Sequence, residues 1–497
     1  MTHSTFCLLR PAKSPADAPA GGTAAPGANR PVLSTHEKAL QINLDQSTYG
    51  AFAEIGAGQE VARWFFRVGG AAGTIAKTMS AYDMAVSDAI YGPSDRYVSR
   101  QRLQTMLQHE YDLQHERLSS QRGVNTRFFV FADTVAARSY SRNDDWHGWM
   151  GIRFQTRPLT PPSDIIIHVQ MHDRENLQQQ EALGIMGVNL VYAALYLHDQ
   201  PEVAIQSLMD NLSRDRVEVD TVKFSGPDFA GVDNRLMALQ LVARGLTDAA
   251  MFTAQGEVVQ AAEVLHKKPI LVTRGSFRPV TRATMDMFEC AHSEFLTEPQ
   301  VQGERIVVLA EMTLKNLAEG GVIDHKDFLD RVDTLGALGQ TVLISDYAEF
   351  HRLASYLFRY TKKMIGLALG VPILHELFEE KYYRDLEGGI LESFGRLFKN
   401  DLKLYVYPFR DPLTGRIETA EDLKVSAHVR HLYAYLKESG CIQALRCYSA
   451  DCLPIFAHEV LAKIRAGSRD WEGLVPPEVT RLIKERRLFG YAPTPSQ

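Results

Sequence analysis

The alternation of apolar and polar positions changes texture near residue 175. Before it, "KALQINLDQSTYGAFAEIGAG" reads as strand, turn and strand running into a glycine turn. "EVARWFFRVGG" carries apolar residues at helical spacing, and "SRQRLQTMLQHEYDLQHERLSSQRG" is a polar amphipathic helix ended by Gly123. Three strands follow, "TRFFVFADTVAARSY", "HGWMGIRFQT" and "SDIIIHVQMHD", with the proline-rich loop "RPLTPPS" between the last two. This pattern predicts an α+β unit with an antiparallel meander.

Beyond it, "NLQQQEALGIMGVNLVYAALYLH" reads as a long buried helix. Short apolar strands then alternate with amphipathic helices: "RVEVDTVKFSG", "AAMFTA", "KPILVTRGSF", "RIVVLAEMTL", "TVLISDY", "MIGLALGV" and "LKLYVYPF" are the strands. Such alternation predicts βα units. The fold class expected is therefore α/β: a mostly parallel sheet with flanking helices, doubly wound or barrel-like, preceded by the α+β unit. The expected division is a disordered extension over 1–35, a glycine-loop domain over 36–174, a βα core over 175–410, and a hairpin with terminal helices over 411–497. The extension is assigned on its Pro, Ala, Gly and Ser, which cannot bury enough apolar surface to order themselves.

Composition narrows the function. The chain has 497 residues, 45% of them hydrophobic and 23% charged, with net charge −6. No positive excess points to nucleic acid or an anionic membrane. No apolar run approaches the ~20 residues of a membrane span, and the apolar patch Phe6 to Leu9 is too short for a signal-peptide core. A cytoplasmic location is expected. The five cysteines do not suggest a disulfide framework. Cys441, Cys447 and Cys452 lack zinc spacing and read as small hydrophobes on a helix. No metal site is assigned.

The candidate chemistry starts with the glycines. "AEIGAGQEV" puts Gly56 and Gly58 between a strand and a helix, the setting of a dinucleotide turn, although position 61 is valine where that fingerprint has its third glycine. "GGAAGTIAKT" places Gly70 and Gly73 ahead of Lys77 and Thr78, with three residues separating Gly73 from the lysine, so it is not a Walker motif. Both turns admit an anion at a helix N-terminus, and both also suit close packing through small residues. A second set stands at the ends of the later strands: Lys223, Arg274, Ser276, Glu311 and Asp346. Ligands bind at the carboxyl ends of parallel strands. There Lys223, Glu311 and Asp346 are the candidates for catalysis, and Arg274 and Ser276 for phosphate. His168 and His172, four apart on one strand, share a face but stand ~13 Å apart, too far for one metal. Asp133 ends an apolar strand without the second aspartate of a phosphatase D-x-D.

The runs "FAEIGAGQEVARWFFRVGGAAGTIAKTMSAYDMAVSDAIYG", "FFVFADTVAARSY", "GWMGIRFQ", "VKFSGP", "VDNRLM", "DLEGGILESFGRLFKNDLKLYVYP" and "LIKERRLFGY" resemble a widespread bacterial family of about this length, over residues 38–492. Some of its members bear the name nicotinate-nucleotide adenylyltransferase, others TonB-dependent receptor. The chain lacks the G-x-F-x-P-x-H-x-G-H segment of the first, and the alternating barrel strands of the second. The reading that remains is a cytoplasmic enzyme binding a nucleotide or other phosphorylated small molecule, with nucleotidyl or other group transfer as its reaction. The alternative is a non-catalytic ligand-sensing or scaffold protein on the same α/β core.

Overall fold

A computed structural model describes residues 30–56, 58–136 and 146–492. The described residues divide into two compact units, the first ending at Ala250 and the second beginning at Met251.

The first unit opens with helix α1 (Thr35–Leu44), where the sequence pattern suggested a strand. The cause is local. Ser34 and Glu37 form a reciprocal capping box, which satisfies two of the helix's unpaired N–H groups. The expected extension lies outside the described residues up to position 29. Arg30 and the fully buried Lys38 both bind the carboxylate of Asp210, Lys38 at 2.6 Å.

Strand β1 (Thr48–Ile55) leads through α2 (Glu60–Val68) to β2 (Ile75–Met79), which pairs parallel to it. The chain then runs through α3 (Met84–Tyr91) and α4 (Arg100–Arg122). It returns on the other side of β1 as β3 (Arg127–Ala136), again parallel. The expected meander follows as β4 (His147–Phe154) and β5 (Ser163–Met171). Helices α5 (Asn176–Tyr196) and α6 (Pro201–Ser207) precede β6 (Val217–Ser225), which pairs antiparallel to β5. Helix α7 (Asn234–Ala243) completes the set. The sheet order is β2-β1-β3-β4-β5-β6.

Both faces of this sheet are covered. Phe52, Phe129, Phe131, Ile152 and Ile167 pack against α1, α2, α5, α6 and α7. Ala51, Ala53, Val130, Ala132 and Ile166 pack against α3 and α4. The α2–α5 contact is close because α5 offers glycine: a Cβ on Gly187 would lie 2.3 Å from Val61.

The second unit is built on β7 (Ala249–Phe252), β8 (Val258–Val259), β9 (Ile270–Arg274), β10 (Val307–Thr313), β11 (Thr341–Ser345), β12 (Ile365–Gly370), β13 (Leu402–Tyr407) and β14 (Ile442–Ala444). They form one open sheet in the order β14-β13-β12-β9-β10-β11-β7-β8, parallel from β14 to β11. The fold is thus mixed α/β with large, mostly parallel sheets and flanking helices, and it is open rather than a barrel. From β9 the chain lays strands to one side, then crosses over and continues from β12 to the other. The reversal falls between the carboxyl ends of β9 and β12, the place where such sheets take ligands.

The cysteine segment differs from its sequence reading. "CIQALRCYSADC" is the short strand β14 followed by turns, not a helix. Cys447 is disulfide-bonded to Cys290 of the helix Arg282–Leu296, with 5.6 Å between Cα atoms. Spacing along the chain could not show this, because the partner is 157 residues away. Cys441 and Cys452 are free thiols.

Candidate functional site

In the first unit β1 is the strand at which the connections change direction, and its carboxyl end meets the glycine turn. Gly56 has φ +99° and Gly58 φ +83°. A Cβ at Gly56 would stand 2.0 Å from the Val135 carbonyl oxygen, so the turn lies directly on β3. The turn delivers the chain to the N-terminus of α2, where free N–H groups and the helix dipole attract an anion.

That position is already filled. The Glu54 carboxylate accepts from the N–H of Val61 at 3.0 Å and of Ala62 at 2.9 Å. Glu54 stands opposite Asp133 across the β1–β3 pair, and both are buried. Asp133 accepts from the Ile55 N–H at 3.1 Å. Burial raises the Glu54 pKa to about 7, against the two N–H groups that favour its charge. Burial, and then the neighbouring Glu54, push Asp133 well above the carboxylate range. The two carboxyls therefore hold protons that ordinary surface acids release.

This has a consequence for stability. Between pH ~4.5 and ~7 the folded state keeps a proton on Glu54 that the unfolded state has lost, so stability falls as pH rises through that window. Glu54→Gln should flatten this dependence by roughly 1–3 kcal/mol between pH 5 and pH 8. Urea titrations at the two pH values measure it. Equal slopes in the variant and the parent would show that Glu54 is charged throughout.

The remaining glycines and Lys77 are arranged otherwise than the sequence suggested. Residues 75–79 are a strand, not the start of a helix. Gly70, at φ +76°, and the exposed Gly73 belong to the turn that returns α2 to the sheet. Asn43 holds this turn by donating to the carbonyls of Phe65 and Gly69, each at 2.7 Å. Lys77 pairs with Ala51 in the sheet and so shares the α4 face, where its ammonium binds Glu110. Thr78, opposite Phe52, takes the α2 face.

The strand-end set divides between the units. Lys223 lies half-buried on β6 of the first unit. In the second unit Arg274 and Glu311 sit side by side at the ends of β9 and β10. Arg274 Nε donates to Glu311 at 2.8 Å and Nη2 to its other oxygen at 3.0 Å. Nη2 also donates to the carbonyl of Tyr347, and Nη1 to that of Ala348. Ser345 donates to Glu311 at 2.6 Å, and the guanidinium stacks on Phe350 at 4.1 Å. Ser276 and Asp346 are exposed. Thr313, Lys315, Asn316 and Glu376 line a small cleft beside Arg274.

One group was not visible in the sequence as a group. His168 Nδ1 is 2.7 Å from Asp220, and its Nε2 is 2.9 Å from Nδ1 of His147. The three residues come from β5, β6 and β4. Only the cross-strand register brings them together, and a bulge between β5 and β6 turns Asp220 onto the ring. Among the described residues no group of three or more His, Cys, Asp or Glu side chains is arranged to hold a metal, and no helix is long and apolar enough to cross a membrane.

No family model and no curated protein matches the chain. Among solved structures it is similar to the competence/damage inducible protein CihA from Agrobacterium tumefaciens, at 15% identity over 32% of this chain and 94% of that one, with a TM-score of 0.24. A competence-damaged protein (CinA) superfamily protein from Enterobacter cloacae gives 12% identity, 35% and 99% coverage and a TM-score of 0.26. Likeness at this level carries no argument about activity. Neither of the two bears the adenylyltransferase or the receptor name.

Proposed function

We propose that the first unit binds a nucleotide or another phosphorylated small molecule at the carboxyl edge of β1 and β3, and that the chain is a group-transfer enzyme. The observation that carries this reading is the Gly56–Gly58 turn, which enters α2 where the sheet changes direction. At Gly58, where a Cβ would meet nothing nearer than 3.9 Å, the absence of a side chain leaves the backbone open to a ligand. The N–H groups of Val61 and Ala62, now held by Glu54, are the donors a phosphate would take. A carboxyl whose pKa is about 7 gives up its charge near neutrality, so it can yield that place.

A second reading, a ligand-sensing or scaffold protein, is favoured by the second unit, where Arg274 is committed to Glu311 and two carbonyls.

A thermal-shift screen of the whole chain against nucleotides, dinucleotides and sugar phosphates tests the first reading. A binder at ~100 times its Kd adds ~2.7 kcal/mol. At pH 8, where most of Glu54 is charged, Glu54→Ala should bind the same compound about tenfold tighter, because the charge competing for the two N–H groups is gone. A screen without a binder, or an affinity indifferent to Glu54→Ala, would sink the reading.

A further inference from the structure

The chain Asp220–His168–His147 determines where its protons sit. A carboxylate only accepts hydrogen bonds, so His168 must donate from Nδ1 to Asp220. The Nε2 of His168 then carries a lone pair. With both rings neutral, that lone pair accepts at 2.9 Å from a proton on His147 Nδ1. It follows that His147 Nε2 carries a lone pair as well. The ring of His168 is fully buried, whereas His147 is half-buried at the start of β4. Thr221 donates to the same Asp220 oxygen at 3.0 Å, while the other oxygen, also buried, has no hydrogen-bond partner among the described residues. Trp149 packs against His168 with ring centroids 4.8 Å apart and keeps water from the link.

The geometry points to His147 as a catalytic general base for an anionic, hydroxyl-bearing small molecule or for water attacking it, with His168 and Asp220 as the residues that position and charge-balance it. This group shares none of the glycine-turn residues of the proposed phosphate site. When a substrate O–H proton reaches His147 Nε2, the Nδ1 proton can pass to His168 Nε2. One proton enters and one moves inward. The positive charge then rests on His168 beside Asp220, away from the substrate. Burial, with His168 and Arg96 adding to it, lowers the His147 pKa to about 4, so the ring is neutral near neutrality and its Nε2 lone pair is free. The charged and titratable groups that act on His147 are His168, Arg96 and Asp220. Arg96 is exposed, and its charge suits a substrate bearing a phosphate or carboxylate.

The proton placement can be tested in the chain as it stands, without knowing its substrate. Diethyl pyrocarbonate is the probe. The Nε2 lone pair attacks a carbonyl carbon and the C–O bond to ethyl carbonate breaks. That leaving group takes the Nδ1 proton and decomposes to ethanol and carbon dioxide. Mass mapping over time should find His147 among the fastest of the 16 histidines to be modified. Asp220→Asn should slow that site at least about tenfold while leaving other histidines unchanged. Equal rates at His147 in the two proteins, or no modification of His147, would overturn the proposal. Should Asp220→Asn fail to fold, long-range proton–nitrogen spectra of the histidine-labelled parent decide instead. They should show Nδ1–H tautomers for both rings, and a His147 carrying its proton on Nε2 would equally overturn it. Neither readout depends on phosphate binding, so either proposal can fail without the other.

Discussion

Arg274→Met, with Glu311 left in place, is expected to destabilise the protein by about 3–5 kcal/mol. Glu311 is fully buried and Arg274 nearly so. Their bidentate pairing is what makes two charges tolerable at the ends of β9 and β10. Removing the guanidinium leaves a carboxylate whose remaining side-chain donor is Ser345, and the carbonyls of Tyr347 and Ala348 lose their donor as well. At about 2–4 °C per kcal/mol for a unit of this size, the melting temperature should fall by roughly 10 °C. The double variant Arg274→Met, Glu311→Leu should recover much of the loss, because an apolar pair of similar volume replaces a buried ion pair at little cost. Calorimetry on the three proteins gives the answer. A single variant within about 1 kcal/mol of the parent would mean that water reaches the pair, and so that the cleft beside it opens.

The second large effect belongs to the glycine turn. Gly56→Ala should cost more than about 4 kcal/mol or prevent folding, because its Cβ would stand 2.0 Å from a backbone oxygen of β3 and its φ is +99°. Gly58→Ala meets nothing nearer than 3.9 Å, so only the left-handed strain of about 1–2 kcal/mol applies. Gly73→Ala, exposed and with nothing within 4 Å, should be neutral or slightly stabilising. Urea midpoints for the three variants should therefore fall in that order. A Gly56→Ala protein no weaker than Gly58→Ala would refute the close approach of the turn to β3.

Features carried by neighbouring residues were legible in the sequence. The alternation of short apolar strands with amphipathic helices pointed to the mostly parallel sheet, and Gly56 and Gly58 to a turn between a strand and a helix. Two errors were local and avoidable in principle. The Ser34–Glu37 capping box marks α1, a signal that the sequence reading did not use. Residues 75–79 hold only one β-branched pair, Ile75 and Thr78, too little to show a strand against the small-residue background. The rest was out of reach for a physical reason. Glu54 finds the N-terminus of α2 through a turn whose path depends on β3. Asp220 meets His168 through a bulge, and His147 meets it through register. Arg274 and Glu311 were visible as separate strand ends, but their mutual capture depends on which strands are neighbours.

Glu54 also makes the first unit its own competitor. A carboxylate tethered a few residues from α2 acts at an effective concentration far above that of a free metabolite, in the millimolar range for a short flexible link and higher for a rigid one. An anion arriving at Val61 and Ala62 must therefore evict a resident, and the eviction is easiest when the resident is neutral. Occupancy of the turn then couples the uptake of one anion to the uptake of one proton, and the proton supply sets the apparent affinity as firmly as the ligand's own contacts do.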